Sequence, residues 1–203
     1  MSSKKTKKDF NIKDTIRDIQ VYLRDYIEIR NLKKMMNKNK RYRQKNDNIS
    51  CEATEDMAKL LIQQRQLLPD RYGDTPLVES TGRNNKQKSN DLYINGKHKI
   101  EVKATTSEDL FTTVSKNNLD CDLWIWLDFS KVVEGVCDYV EIHIIKNPGQ
   151  NIKPWKIETN NELKITLDSI KKNMSNYNDY SFAELDVWKM KIKKPTDSYN
   201  KFF

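Results

Sequence analysis

With 203 residues, 33% of them charged, and a formal net charge of +8, the chain suits one domain with a buried core and a very polar surface. Its mean hydropathy is −0.87, and its longest apolar run (Leu123, Trp124, Ile125, Trp126, Leu127) is far too short to span a bilayer. Cys51, Cys121 and Cys137 are odd in number and lack metal-site spacing, which argues against a disulfide scaffold and for a reducing cytoplasm.

Residues 1–8 are basic with no apolar stretch behind them, so no secretion signal is expected there and the segment reads as disordered. Over residues 10–37, Ile12, Ile16, Ile19, Leu23, Tyr26, Ile27 and Leu32 recur every three or four positions. That spacing predicts an amphipathic helix of roughly seven turns, packed on the core or, alternatively, on a second subunit. Residues 38–48 follow as a basic linker suited to a phosphate backbone. Residues 1–50 hold 15 Lys and Arg against 6 acids, which leaves −1 for the remaining 153. Such a flank favours a polyanion, nucleic acid ahead of membrane, with a solubilising tail as the plainer alternative.

A second helix is predicted over residues 50–68. Ser50 would be its N-cap, Glu52, Glu55 and Asp56 its acidic first turns, and Met57, Leu60, Leu61 and Leu68 its inner stripe. Pro69, Gly73, Pro76 and Gly82 then break the chain into a long loop. The next stretch, residues 89–106, is the most informative. Leu92 and Ile94, then Ile100, Val102 and Ala104, alternate with polar residues around Asn95-Gly96, a strong hairpin signal.

Alternation sends Glu101 and Lys103 to one face and Ile100, Val102 and Ala104 to the other. Whether Asp91 joins the first pair depends on the loop. A two-residue turn would pair Asp91 with Ile100 and point it away. An odd loop, such as three residues ending in Gly96 as a bulge, pairs Asp91 with Lys99 and gathers Asp91, Glu101 and Lys103 on one face; a bulge beside Asp91 does the same. An odd loop or a bulge is therefore predicted.

Beyond the hairpin, residues 105–118 read as a short helix or loop. Residues 122–129 and 139–145 read as strands, the first nearly continuous in apolar residues and so central. Trp124 and Trp126 fall on one strand face, as core rather than as base-stacking platforms. His98 and His143 read as ordinary strand residues and are too few for a histidine-based metal centre. Pro148-Gly149 would end this sheet, with a short helix at 167–174 and a last strand at 187–192 beyond it. Lys189, Lys191, Lys193 and Lys194 make that end basic. The fold class expected is a mixed α/β domain, a central mixed sheet flanked by helices on both sides.

Two carboxylates held together repel unless a cation lies between them. Oxygen-only ligands suit Mg²⁺, which retains positions for water and phosphate. A lysine two residues beyond the second carboxylate can orient a water or steady charge on a phosphate. Asp91, nine residues and then Glu101-Val102-Lys103 resembles the PD-(D/E)xK nucleases, and within them the small type II restriction endonucleases, over about residues 50–145. Asn90 stands where that family has a proline, a position without a catalytic role.

The resemblance implies a restriction-endonuclease-like core, with Asp91, Glu101 and the Val102 carbonyl binding Mg²⁺ and Lys103 serving the attacking water. Glu55, with Glu52 behind it, is the helix acid that would join them, unless both only answer the helix dipole. Residues 1–48 would then be a basic helical extension and 49–203 the nuclease domain. Arg83, Asn84, Asn85, Lys86, Gln87 and Lys88 are candidates for reading bases and holding phosphates, with Lys116 and Asn117 as further DNA contacts. The activity implied is cleavage of double-stranded DNA at a short palindrome by a cytoplasmic homodimer. It would leave a 5′-phosphate and need no nucleotide cofactor and no membrane. A structure-specific or repair nuclease, or a non-catalytic DNA-binding module, are the alternatives.

Overall fold

Asn11 opens the first helix. Its Oδ1 accepts the amides of Lys13 (3.0 Å) and Asp14 (3.3 Å), donors that no helical carbonyl reaches. This helix, α1 (Ile12–Met36), buries a narrow stripe of Ile19, Leu23, Tyr26 and Arg30, and its apolar members enter the main core. The structure is a computed structural model that describes residues 11–36, 49–67, 75–80, 90–106, 111–151, 156–157, 162–166 and 180–193. No helix among them is long and apolar enough to cross a membrane. Ser50 caps the second helix, α2 (Cys51–Gln63), accepting the Ala53 amide at 3.4 Å. Its own amide donates to the Tyr22 hydroxyl at 2.6 Å, which ties α2 to α1.

Helix α2 stops at Gln63, short of the predicted residue 68. Arg65 adopts a left-handed backbone (φ 56°), and the amides of Gln66 and Leu67 both turn back to the Leu61 carbonyl, at 2.9 and 3.1 Å. This closure delivers Leu67 to the core, fully buried. No glycine marks the stop, so the apolar spacing reads straight through it.

Ten strands follow among the described residues: β1 (Val78–Ser80), β2 (Leu92–Ile94), β3 (His98–Thr105), β4 (Phe111–Ser115), β5 (Leu123–Asp128), β6 (Tyr139–Lys146), β7 (Lys156–Ile157), β8 (Glu162–Thr166), β9 (Tyr180–Asp186) and β10 (Lys191–Lys193). Seven of them form a mixed sheet in the order β1-β2-β3-β5-β6-β9-β10. The β3–β5 pair is parallel and the rest are antiparallel. Strand β5 is fourth of the seven, and all six of its residues are buried, the central place its apolar run implies.

Alternate residues of β5 serve two layers. Leu123, Ile125 and Leu127 join α1 and α2 in the main core. Trp124 and Trp126, stacked with ring centroids 5.9 Å apart, face the other way and pack with Ile145, Ile165 and Tyr180. Both tryptophans are thus core residues. Ile165 belongs to a three-stranded antiparallel sheet, β4-β8-β7, which covers this second face among the described residues. The fold is α/β with a mixed sheet, as expected, but among the described residues the two long helices, α1 and α2, lie on one face rather than on two. Residues 167–174, expected to be helical, lie outside the described residues, as do 1–10 and the basic linker 38–48.

Three further expectations are corrected. The stretch predicted as a short helix or loop after residue 105 contains strand β4 before a 3₁₀ turn, Lys116–Leu119. Pro148-Gly149 starts a single helical turn, Pro148–Asn151, but does not end the sheet, because β9 and β10 extend it past β6. The predicted last strand at 187–192 straddles a hairpin turn. Asp186 Oδ1 accepts the amides of Trp188 (3.1 Å) and Lys189 (3.0 Å), and Met190 is left-handed (φ 48°), so the chain reverses where apolar alternation suggests extension.

Central placement of β5 has a stability consequence. Ile125→Ala should cost about 2–5 kcal/mol in urea unfolding. Val136→Ala, at a position 70% exposed, should stay within about 0.5 kcal/mol. Equal small losses in both variants would contradict the core described above.

Candidate active site

The hairpin carrying the three candidate residues closes through a three-residue loop, residues 95–97, with Ile94 opposite His98 and Leu92 opposite Ile100. Asn95 (φ 52°) and Gly96 (φ 67°) are both left-handed, a conformation that this residue pair accepts at little cost. The Lys97 amide returns to the Ile94 carbonyl at 3.1 Å. The loop is odd, as sharing a face requires. It ends at Lys97 rather than Gly96, so the register, continued one residue past Leu92, sets Asp91 beside Glu101 instead of Lys99. Asp91 Oδ2 accepts the Val102 amide at 2.8 Å.

Glu101 is 1% exposed, because its face of the sheet is a second interior and not solvent. In the parallel β3–β5 register it neighbours Trp124, and Lys103 neighbours Trp126. Lys103 Nζ pairs with Glu101 Oε1, and Asn118 Nδ2 donates to the same oxygen at 2.6 Å. Glu101 Oε2 is buried with no hydrogen-bond partner. Burial pushes the Glu101 carboxyl up to about 7; Lys103 pulls against that rise and Asp91 adds to it.

Glu55 enters from α2. It is half-buried, and burial first, then Asp91, Glu52, Asp56 and Glu101, push its carboxyl up to about 7. Asp91 as the leading charge against it sets Glu55 among the hairpin acids. Glu52 is exposed and receives the Ser50 hydroxyl at 2.8 Å. Cys121 is buried near Glu101; burial and then Glu101 push its thiol up to about 12, leaving it neutral. Val102 turns its side chain into the main core.

The structure therefore brings Asp91, Glu101 and Lys103 together, with Glu55 on α2 near enough to feel the charges of Asp91 and Glu101. Arg83, Asn84, Asn85, Lys86, Gln87 and Lys88 lie outside the described residues. Lys116 and Asn117 open the 3₁₀ turn that also contains Asn118. Asn118 and Cys121 are absent from the sequence-derived site. A signal for them exists, since the residues leading into a strand parallel to β3 must pass the start of β3. The amide of Asp122 donates to the Lys99 carbonyl (2.9 Å), and its Oδ2 accepts the Lys99 amide (2.8 Å).

Oxygen donors with one orphaned, buried carboxylate oxygen fit a small hard cation such as Mg²⁺, which is commonly held by one or two carboxylates with water completing the shell. A different cluster lies further along the same sheet face. Donor atoms of Asp128, Glu141 and His143, all buried, fall within 4.8 Å of one another. His143 lies on β6, as a strand residue should, and is buried. Each member has a protein contact: Asp128 Oδ1 takes the Ser130 amide at 3.0 Å, Lys131 pairs with Glu141, and His143 Nδ1 shares a hydrogen bond with the Tyr180 hydroxyl, while His143 Nε2 is buried without a hydrogen-bond partner, 3.6 Å from Glu141 Oε2.

Raised carboxyl pKa values fix a pH dependence. Between about 4.5 and 7 the folded chain holds protons on Glu55 and Glu101 that an unfolded chain has released. Stability of the metal-free protein should fall as pH rises through that window and level off above it. Glu55→Gln should therefore melt above the wild type at about pH 8 in a chelating buffer, with the gap closing toward about pH 5, read by scanning calorimetry. A gap that ignores pH would remove Glu55 from the cluster.

No protein-family model matches this chain, and neither a curated protein nor a solved structure is significantly similar to it.

Proposed function

We propose that the chain is a Mg²⁺-dependent endonuclease of the PD-(D/E)xK type that cuts double-stranded DNA as a type II restriction enzyme does. The observation that carries the reading is Glu101. It is a carboxylate almost wholly out of water, held at one oxygen by Lys103 and Asn118, orphaned at the other, and faced by Asp91 and Glu55. Burying a carboxylate in this way is costly, and perturbed acids gathered in one place are a mark of functional sites.

Glu101, through Oε2, and Asp91 would hold the ion, with the Val102 carbonyl as the further ligand implied by the family resemblance. Bound Mg²⁺ supplies polarisation of the scissile phosphate and a lowered pKa for an attacking water. Lys103, anchored on Glu101, would orient that water or steady the charge gathering on the phosphate. Glu55, protonating near neutrality, is suited to take up the water's proton. Hydrolysis of this kind leaves a 5′-phosphate and a 3′-hydroxyl.

The basic flank in residues 1–50 supplies attraction to the backbone, and residues 83–88, just ahead of the hairpin, are the proposed base readers. A palindromic target matches a two-fold homodimer in which each subunit cuts one strand. Three free thiols at Cys51, Cys121 and Cys137 suit a reducing cytoplasm.

Incubation of purified protein with plasmid and Mg²⁺ should give discrete fragments. A smear or junction-specific cutting would favour a repair nuclease of the same type, and binding without cutting a non-catalytic DNA-binding module. Asp91→Ala and Lys103→Ala should each lose at least about 100-fold in cleavage rate while keeping most DNA affinity in a gel-shift assay. Full activity in either variant would take that residue out of the mechanism. Exchange of Mg²⁺ for Ca²⁺ should permit binding with little hydrolysis, because the larger ion places water less strictly.

A further inference from the structure

Glu101 is satisfied unevenly. Lys103 Nζ and Asn118 Nδ2 (2.6 Å) both donate to Oε1, whereas Oε2 is buried with no hydrogen-bond partner and the buried Asn90 side chain is near enough only to favour the charged form. A carboxylate has acceptor sites on both oxygens, and a fold that only needed to stabilise the charge would spread its donors over them. The geometry points to Asn118 as a positioning residue that fixes the plane of the Glu101 carboxylate and so reserves Oε2 for the cation. The inference rests on the metal site proposed above and adds a residue to it.

Lys103 cannot do this alone. It lies two residues along the same strand on a flexible stem, and one donor leaves the carboxylate free to rotate. Asn118 approaches from a different element, the 3₁₀ turn Lys116–Leu119. The end of that crossover is tied to β3 by the paired contacts between Asp122 and Lys99, at 2.9 and 2.8 Å. Its amide therefore reaches Oε1 from a fixed direction. An uncharged donor also suits the task, because it steadies the carboxylate without adding a positive charge that would repel a cation. Groups of this kind, which hold a metal ligand from behind, commonly change metal affinity 10- to 100-fold when removed.

Mn²⁺ binding to the full chain, followed by the spin-resonance signal of the free ion, tests the assignment. Asn118→Leu keeps much of the side-chain volume and Asn118→Ser keeps a small polar group; circular dichroism identifies which variants fold. Folded variants should bind Mn²⁺ at least about tenfold more weakly than the wild type, and Asn118→Gln, which restores the donor, should recover part of the loss. Cleavage by the Leu and Ser variants should return at raised Mn²⁺ concentration, a response that a merely structural residue would not show. Wild-type affinity in both variants would overturn the role of Asn118 and leave the metal site standing. Absence of Mn²⁺ binding in the wild type, or binding undiminished in Glu101→Gln, would overturn the metal site and this inference with it.

Discussion

Side chains on a strand alternate between faces, so one residue more or fewer between β2 and β3 would exchange what the hairpin offers to each layer. The loop of residues 95–97 settles that parity. It keeps Leu92 and Ile94 in the main core beside Ile100 and Val102, and Asp91 on the side of Glu101. Local preference is reinforced by a tertiary clamp. The Asn95 amide donates to the Leu77 carbonyl at 2.7 Å, and its Oδ1 accepts the Leu77 amide at 2.9 Å. A residue with positive φ, an odd loop and the approach to β1 are thus fixed together. With an even loop the Val102 amide would lose its carboxylate acceptor, and Asp91 would face an apolar layer.

The second constraint is that the sheet has no wet face at its centre. Trp124 and Trp126 build an interior opposite the helices, and the parallel register sets Glu101 and Lys103 against them. Surroundings of low polarity strengthen every electrostatic contact and penalise every uncompensated one. The Lys103 pairing and the rise in the Glu101 carboxyl are two consequences of the same burial. A solvent-exposed hairpin with the same sequence would hold the same charges with no such strain.

Much of this was legible in the sequence where local and tertiary demands agree. Asn95-Gly96 marks the hairpin, the run at Leu123 marks the central strand, and Ser50 marks the start of α2. Legibility fails where a side chain, rather than an apolar period, directs the backbone. Asp186 folds two amides onto its own carboxylate, and Arg65 turns left-handed without the glycine that usually announces it. Strand β4, Phe111–Ser115, was missed because residues rich in Thr and Ser read equally as loop; pairing with β8 decides the matter. Within the site, the three motif residues lie on the hairpin and could be read there. Asn118 comes from the far side of a crossover, so its contact with Glu101 exists only once β5 lies parallel to β3.

Two acidic clusters on one sheet face differ in how the fold meets their polar atoms. At Asp128, Glu141 and His143, each side chain has a partner from the fold itself: a backbone amide at the start of a helical turn, a lysine and a tyrosine hydroxyl. Each of the three carries a contact from the fold, His143 Nε2 lies 3.6 Å from Glu141 Oε2 without a hydrogen bond, and the donor set would suit a metal on distance alone. At Glu101 the donors converge on one oxygen, and a second and a third carboxylate face the site. Protein interiors rarely leave a charged oxygen unmet. The first cluster carries its own cation, Lys131, whereas at Glu101 the acceptor left over on Oε2 is the position that the proposed ion would fill.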